Sequence, residues 1–157
     1  MVWYQLTQAK VPGITGCWII PWGGDRPFLA IRLEQLYPGH SKQAGMMAAL
    51  CPAFNYGGVV VVVMDNDLDI TTSEQIFWAL STRLNPVRDI QVIEEAWGNP
   101  VFKSEDHQSG MISRVIIDAT IPWEHRKKAP PLVRSSQAAA ERVRTKWPHI
   151  FSQRSGK

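Results

Sequence analysis

Residues 57–69 read Gly-Gly-Val-Val-Val-Val-Val-Met-Asp-Asn-Asp-Leu-Asp. Five valines and a methionine in unbroken succession leave no polar side for water, so a strand over residues 59–64 must be covered on both faces. That is the pattern of a central, parallel strand and assigns the chain to the α/β class. The acids that follow, Asp65, Asp67 and Asp69, stand at the strand's C-terminal end, where open α/β sheets place their ligands. They resemble the opening of a Ca²⁺ loop, but Ile70 stands at the turn that needs glycine, and Gln75 and Ile76 stand where the closing Glu is needed. They are equally placed to meet the positive end of the next helix, or to pair with Arg83 or Arg88. The sequence leaves both readings open, a ligand cluster or a neutralised strand exit.

Around this strand the spacing predicts strands over 16–22 and 28–36, a turn at Gly23-Gly24-Asp25, and a break at Pro38-Gly39-His40. A helix follows over 41–51, with Ser41 as N-cap, Ala44, Met47 and Ala48 on one stripe, and Pro52 ending it. Thr72 opens the next helix, Gln75 completes a capping box, and Asn85-Pro86 stops it. With a strand over 89–97, residues 59–97 spell strand, helix, strand, read as a βαβ unit with a right-handed crossover. A polar loop over 103–110, a strand over 111–120, an irregular stretch rich in proline and charge, and a helix over 135–147 complete the pattern. That last helix puts Ala139, Val143 and Trp147 on one face, and the final ten residues are expected to fray. The expected architecture is one three-layer-like domain over 1–150, with a mixed, largely parallel central sheet, the βαβ unit 59–97 and flanking helices, then a frayed tail at 151–157.

A chain of 157 residues suits one core. No apolar run approaches the roughly 20 residues that span a bilayer, and Met-Val-Trp-Tyr-Gln does not begin a signal peptide. Cys17 and Cys51 form neither a metal-ligand pair nor a redox CxxC, so both are read as reduced and the protein as cytoplasmic. The net charge of +3 is uneven: basic residues from Arg126 to Lys157 face only Glu141. Without a nucleic-acid motif, this reads as a solvated helix face or a surface for an acidic partner, with no nucleic acid and no membrane expected. Seven tryptophans point to buried contact with another subunit or domain.

Lys42, beside His40 at a strand-to-helix corner, could hold a phosphate with the helix amides, or simply be solvated. His107, His125 and His149 are isolated in polar stretches. No Ser-His-Asp order, Cys-His pair or glycine-rich phosphate loop is present, and a self-sufficient enzyme ordinarily shows one of these.

Four segments in register go further: "YPGHSKQAG", "VVVVVMDNDLDI", "FWALSTRLNPVRDI" and "IIDATIPWE". Over about residues 12–125 the chain resembles the C-terminal domain of the UbiD-type decarboxylases, which use prenylated flavin mononucleotide. The resemblance implies a part of a reversible carboxy-lyase acting on an aromatic, heteroaromatic or α,β-unsaturated acid. In that family the flavin, its divalent metal and K⁺, and a Glu-Arg-Glu catalytic set belong to a preceding flavin-binding domain. This chain is therefore expected to carry no catalytic residue, to bind no flavin alone, and to partner that domain in cis or as a separate subunit.

The family's C-terminal domain supplies dimer contacts and closes one side of the substrate pocket. Carried onto this sequence, Tyr56 and Gly57 line the pocket before the central strand. Asn99 and Val101, in "WGNPVF", face it from the loop after residue 97. Asn99 stands where relatives carry bulky apolar residues, which implies a substrate ring bearing a polar group. Lys42 matches the family's lysine as a cofactor-binding candidate, and Asn66 interrupts the family's acidic run. The alternative is a non-catalytic binding or assembly module of the same fold.

Overall fold

The central valine strand is the middle member of five in the computed structural model, which describes residues 1–21, 28–98, 110–133 and 135–152. In chain order the elements begin with helix α1 (Val2–Gln8), strand β1 (Ile14–Ile20), strand β2 (Phe28–Leu33), helix α2 (His40–Leu50), helix α3 (Pro52–Asn55) and strand β3 (Val60–Asp65). There follow helix α4 (Ser73–Arg83), helix α5 (Pro86–Asp89), strand β4 (Ile90–Trp97), strand β5 (Met111–Ala119), a 3₁₀ helix (Trp123–Lys128), helix α6 (Gln137–Lys146) and helix α7 (Pro148–Ser152).

The sheet order is β1-β2-β3-β5-β4. The inner pairs β2–β3 and β3–β5 are parallel, and the outer strands β1 and β4 run antiparallel to their neighbours. Alternate residues of β3 feed two cores, as a strand apolar on both sides must. Val61 and Val63 join Leu29, Ile31, Ala44, Ala48, Phe54 and Ile116 beneath α1, α2 and α3. Val62 and Met64 join Ala30, Leu68, Ile70, Ile76 and Ala79 beneath α4. This is the three-layer α/β domain with a mixed sheet that the valine run predicts.

Several local expectations change. Residues 59–97 do spell strand, helix, strand, but β4 is separated from β3 by β5 and runs antiparallel to it, so this stretch is no βαβ unit. The parallel crossover is β2–α2–β3 instead. The half-exposed face of β4, with Val92 and Trp97 open, marks an edge strand rather than an inner one.

Ser41 is not the N-cap of α2. Gly39 is, in the left-handed region at φ 80°, which glycine adopts without strain. The buried stripe of α2 is Ala44, Gly45, Ala48 and Ala49, and Met47 is exposed. The capping box is not closed: Thr72 makes no side-chain cap bond, and Gln75 Oε1 reaches further back to accept from Asp69 N at 2.7 Å.

The N-terminal helix α1, not among the elements expected from the spacing, buries Val2 and Leu6, four residues apart on one face. Helix α6 buries no residue, and the final residues expected to fray include the helix α7. The Gly23-Gly24-Asp25 turn and all but Gly110 of the polar loop expected over 103–110, with His107, lie outside the described residues.

Candidate functional site

Because β2, β3 and β5 are parallel, their ends gather at two opposite poles. Helix α2 runs between them, its eleven residues spanning about 16 Å at ~1.5 Å per residue.

At the C-terminal pole a cleft of about 210 Å³ is lined by Gln35, Ser41, Lys42, Asp89, Asp118 and Glu124, among others. Most of its polar groups already have partners. Asp118 Oδ1 accepts from Thr120 N at 3.1 Å and Thr120 Oγ1 at 2.6 Å, and its Oδ2 accepts from Ser41 Oγ. Asp89 accepts from Arg88 Nε at 2.6 Å and from Asn85 N at 2.9 Å. Burial pushes the Asp89 carboxyl upward, but the Arg88 guanidinium and the Asn85 amide outweigh it and hold it below its ordinary value.

Asp65 lies just behind, accepting from Arg83 at 2.9 Å, Gln35 Nε2 at 3.0 Å and Ile121 N at 2.6 Å. Burial still raises its carboxyl above the usual range. Arg83 also grips Asp67 at 2.6 Å, and Asp69 caps Thr71 through N and Oγ1. The three acids thus neutralise an arginine and fold a turn. Among the described residues no group of three His, Cys, Asp or Glu could hold a metal ion. Lys42 Nζ donates to the Arg88 carbonyl at 3.3 Å, and the same cleft holds Asp89, Asp118 and Glu124. An entering phosphate would meet those carboxylates beside two cations, Lys42 and Arg88, that already have partners.

At the opposite pole stand Tyr56 and Gly57, between α3 and β3. The Tyr56 side chain is 61% exposed, whereas Gly57 and Gly58 are buried. Gly58 is required because any Cβ there would run into the Phe54 ring. The end of β4, at Trp97 and Gly98, lies at this same pole, since Trp97 pairs with Met111 at the start of β5. Asn99 and Val101 follow it in the chain and lie outside the described residues.

The residue that joins these two segments is Arg114, which sequence reasoning missed. It is fully buried on β5, its Nε donates to Gly58 O at 3.1 Å, and one terminal nitrogen donates to Asn55 O at 2.6 Å and to Trp97 O. Burial lowers its pKa. The available signal was the single cation in the strand "MISRVIIDA", at a position whose alternate neighbours Ile112 and Ile116 face the core. The structure therefore brings Tyr56 and Gly57 near the stretch that leads to Asn99, and places Lys42 at the far pole.

A five-stranded mixed sheet with a polar cleft at one pole and two segments joined by Arg114 at the other defines an α/β domain. Residues 1–119 match the model of the 3-octaprenyl-4-hydroxybenzoate carboxy-lyase C-terminal domain, and the chain belongs to that family, the C-terminal domains of UbiD-class decarboxylases. It is 34% identical over 123 residues to the uncharacterized protein sll0936 of Synechocystis sp., covering 74% of this chain and 24% of that one. Among solved structures it is similar to the UbiD-class enzyme HmfF from Pelotomaculum thermopropionicum in complex with FMN, with a TM-score of 0.74 and 27% identity over 86% of this chain and 29% of that chain. It is also similar to the vanillic acid decarboxylase of Sedimentibacter hydroxybenzoicus in its open form, with a TM-score of 0.72 and 25% identity over 97% of this chain and 32% of that chain. The chain thus spans about a quarter to a third of these relatives.

Proposed function

We propose that this chain is the C-terminal part of a prenylated-FMN-dependent, reversible decarboxylase acting on an aromatic, heteroaromatic or α,β-unsaturated carboxylic acid. The carrying observation is the joining of Tyr56–Gly57 to the Trp97–Gly98 stretch at one pole of a UbiD-class fold. An evolved form of HmfF is a complex with prFMN, which supports the choice of cofactor. Decarboxylation needs an electron sink, which the prenylated flavin supplies in its own domain, together with the divalent metal and K⁺. This chain's residues close the pocket instead. Tyr56 presents an exposed ring to the substrate, Gly57 leaves room beside it, Asn99 meets a polar substituent, and Val101 packs against the substrate.

The same domain makes the dimer contact and meets the flavin-binding domain. An apolar groove of about 490 Å³ between α4 and the sheet, with Phe28 at its edge and Phe77 69% exposed, supports such a covered surface.

Mixing the chain with the flavin-binding domain of its own enzyme is the test. Decarboxylation that appears only in the mixture supports the proposal. A chain that binds prenylated FMN tightly by itself, or never engages that domain, removes it, and the second outcome favours a free-standing assembly module.

A further inference from the structure

A guanidinium buried in a sheet is costly unless its donors are met, and an apolar residue at the same place is commonly no less stable. Arg114 nevertheless sits at 0% exposure on the α2 face of β5, between Ile112 and Ile116. Its acceptors are backbone carbonyls: Gly58 O, Asn55 O and Trp97 O. Among the described residues the remaining terminal nitrogen finds no acceptor, and the buried Oδ1 of Asn55 finds no donor. The fork thus spends its donors on three main-chain points in two separate segments.

One segment is the turn from α3 into β3, which carries Tyr56 and Gly57. The other is the end of β4, which leads into Asn99 and Val101. Each segment is held locally by its own bonds, Asn55 N to Cys51 O at 2.9 Å, Gly57 N and Gly58 N to Phe54 O at 3.4 and 2.8 Å, Trp97 in register with Met111 and Gly98 N to Gly110 O at 2.9 Å, and Arg114 ties one segment to the other. A planar fork with five N–H donors on three separated nitrogens reaches carbonyls that lie further apart than one nitrogen can span.

We propose that Arg114 is a positioning residue: by bridging Asn55, Gly58 and Trp97 it sets the spacing between the two segments of the pocket wall, and so the fit of the substrate. This rests on the pocket-wall reading above. The arginine touches no substrate itself. Its effect falls on binding, because a wall that is displaced alike before and during reaction weakens uniform binding and raises KM.

The test uses Arg114→Met and Arg114→Lys in the enzyme reconstituted with its flavin-binding domain, and amide hydrogen exchange on the same proteins. Lysine keeps the charge but offers one nitrogen, which cannot span the three carbonyls. Arg114→Met is expected to raise KM about tenfold or more with kcat within about threefold. Arg114→Lys is expected to raise it about three- to tenfold. Exchange should speed up together at 55–58 and 97–98 in both variants, and not in β3. Should Arg114→Met fail to fold, Arg114→Lys decides alone. The proposal is overturned if a folded Arg114→Lys keeps the parent KM and exchange at both segments, or loses kcat with KM unmoved. If the unsubstituted protein shows no decarboxylation, the proposed function fails, while the exchange data still report whether the brace exists.

Discussion

His40 is fully buried at the first turn of α2, stacked on Tyr37 at 4.2 Å, and its Nδ1 accepts from Leu36 N at 3.1 Å. Protonation would turn that acceptor into a donor and put a positive charge at the positive end of a helix. Burial lowers its pKa, against a weaker opposing contribution from the Pro12 backbone. The unfolded chain therefore takes up a proton first as pH falls. Stability linked to His40 is fully present above the unfolded value of about 6.5 and is lost as pH drops below it. Urea unfolding between neutral and mildly acid pH should show this slope, and His40→Gln should flatten it. Ser41→Ala removes the hydroxyl donor to Asp118 Oδ2, and leaving that buried oxygen unmet should cost about 1–3 kcal/mol by the same measurement. Asp65→Asn weakens the grip of Arg83, whose side chain is 7% exposed, and should cost about 2–3 kcal/mol in chemical unfolding.

Among the elements, β3 was legible because a run of valines has only one stable environment, a sheet covered on both sides. The position of β4 was not legible. Order along the chain does not say which neighbour a strand takes, and β5, arriving later, occupies the place beside β3. The pole holding Tyr56 and Gly57 came from motif resemblance, and Arg114 escaped because a charge inside a core strand carries no periodic signature. Helix α6 follows propensity and has a formed cap, with Ser136 Oγ accepting from Ala139 N at 3.2 Å, yet of its stripe Ala139 is only partly covered and Val143 and Trp147 are exposed. Deleting residues 136–157 should therefore shift the unfolding free energy by less than about 0.5 kcal/mol, as read in urea melts. Gly58→Ala is the opposite case. The added methyl collides with Phe54, a ring 1% exposed in the first core, and should lower stability by about 1–3 kcal/mol.

At the scale of the whole molecule, the two thiols are consistent with inert packing: both Cys17 and Cys51 are free, and burial pushes each up from its ordinary value. The described residues include no helix long and apolar enough to cross a membrane. The antiparallel outer strands have a practical bearing on handling the protein. Among the described residues β1 is an outer strand of the sheet, with one side of its main chain outside the ladder beside the half-open Trp18 and Ile19. A solution of the chain held alone at high concentration should therefore turn cloudy by margin-to-margin stacking, and a lysine in place of Ile19 should keep it clear for longer under light scattering.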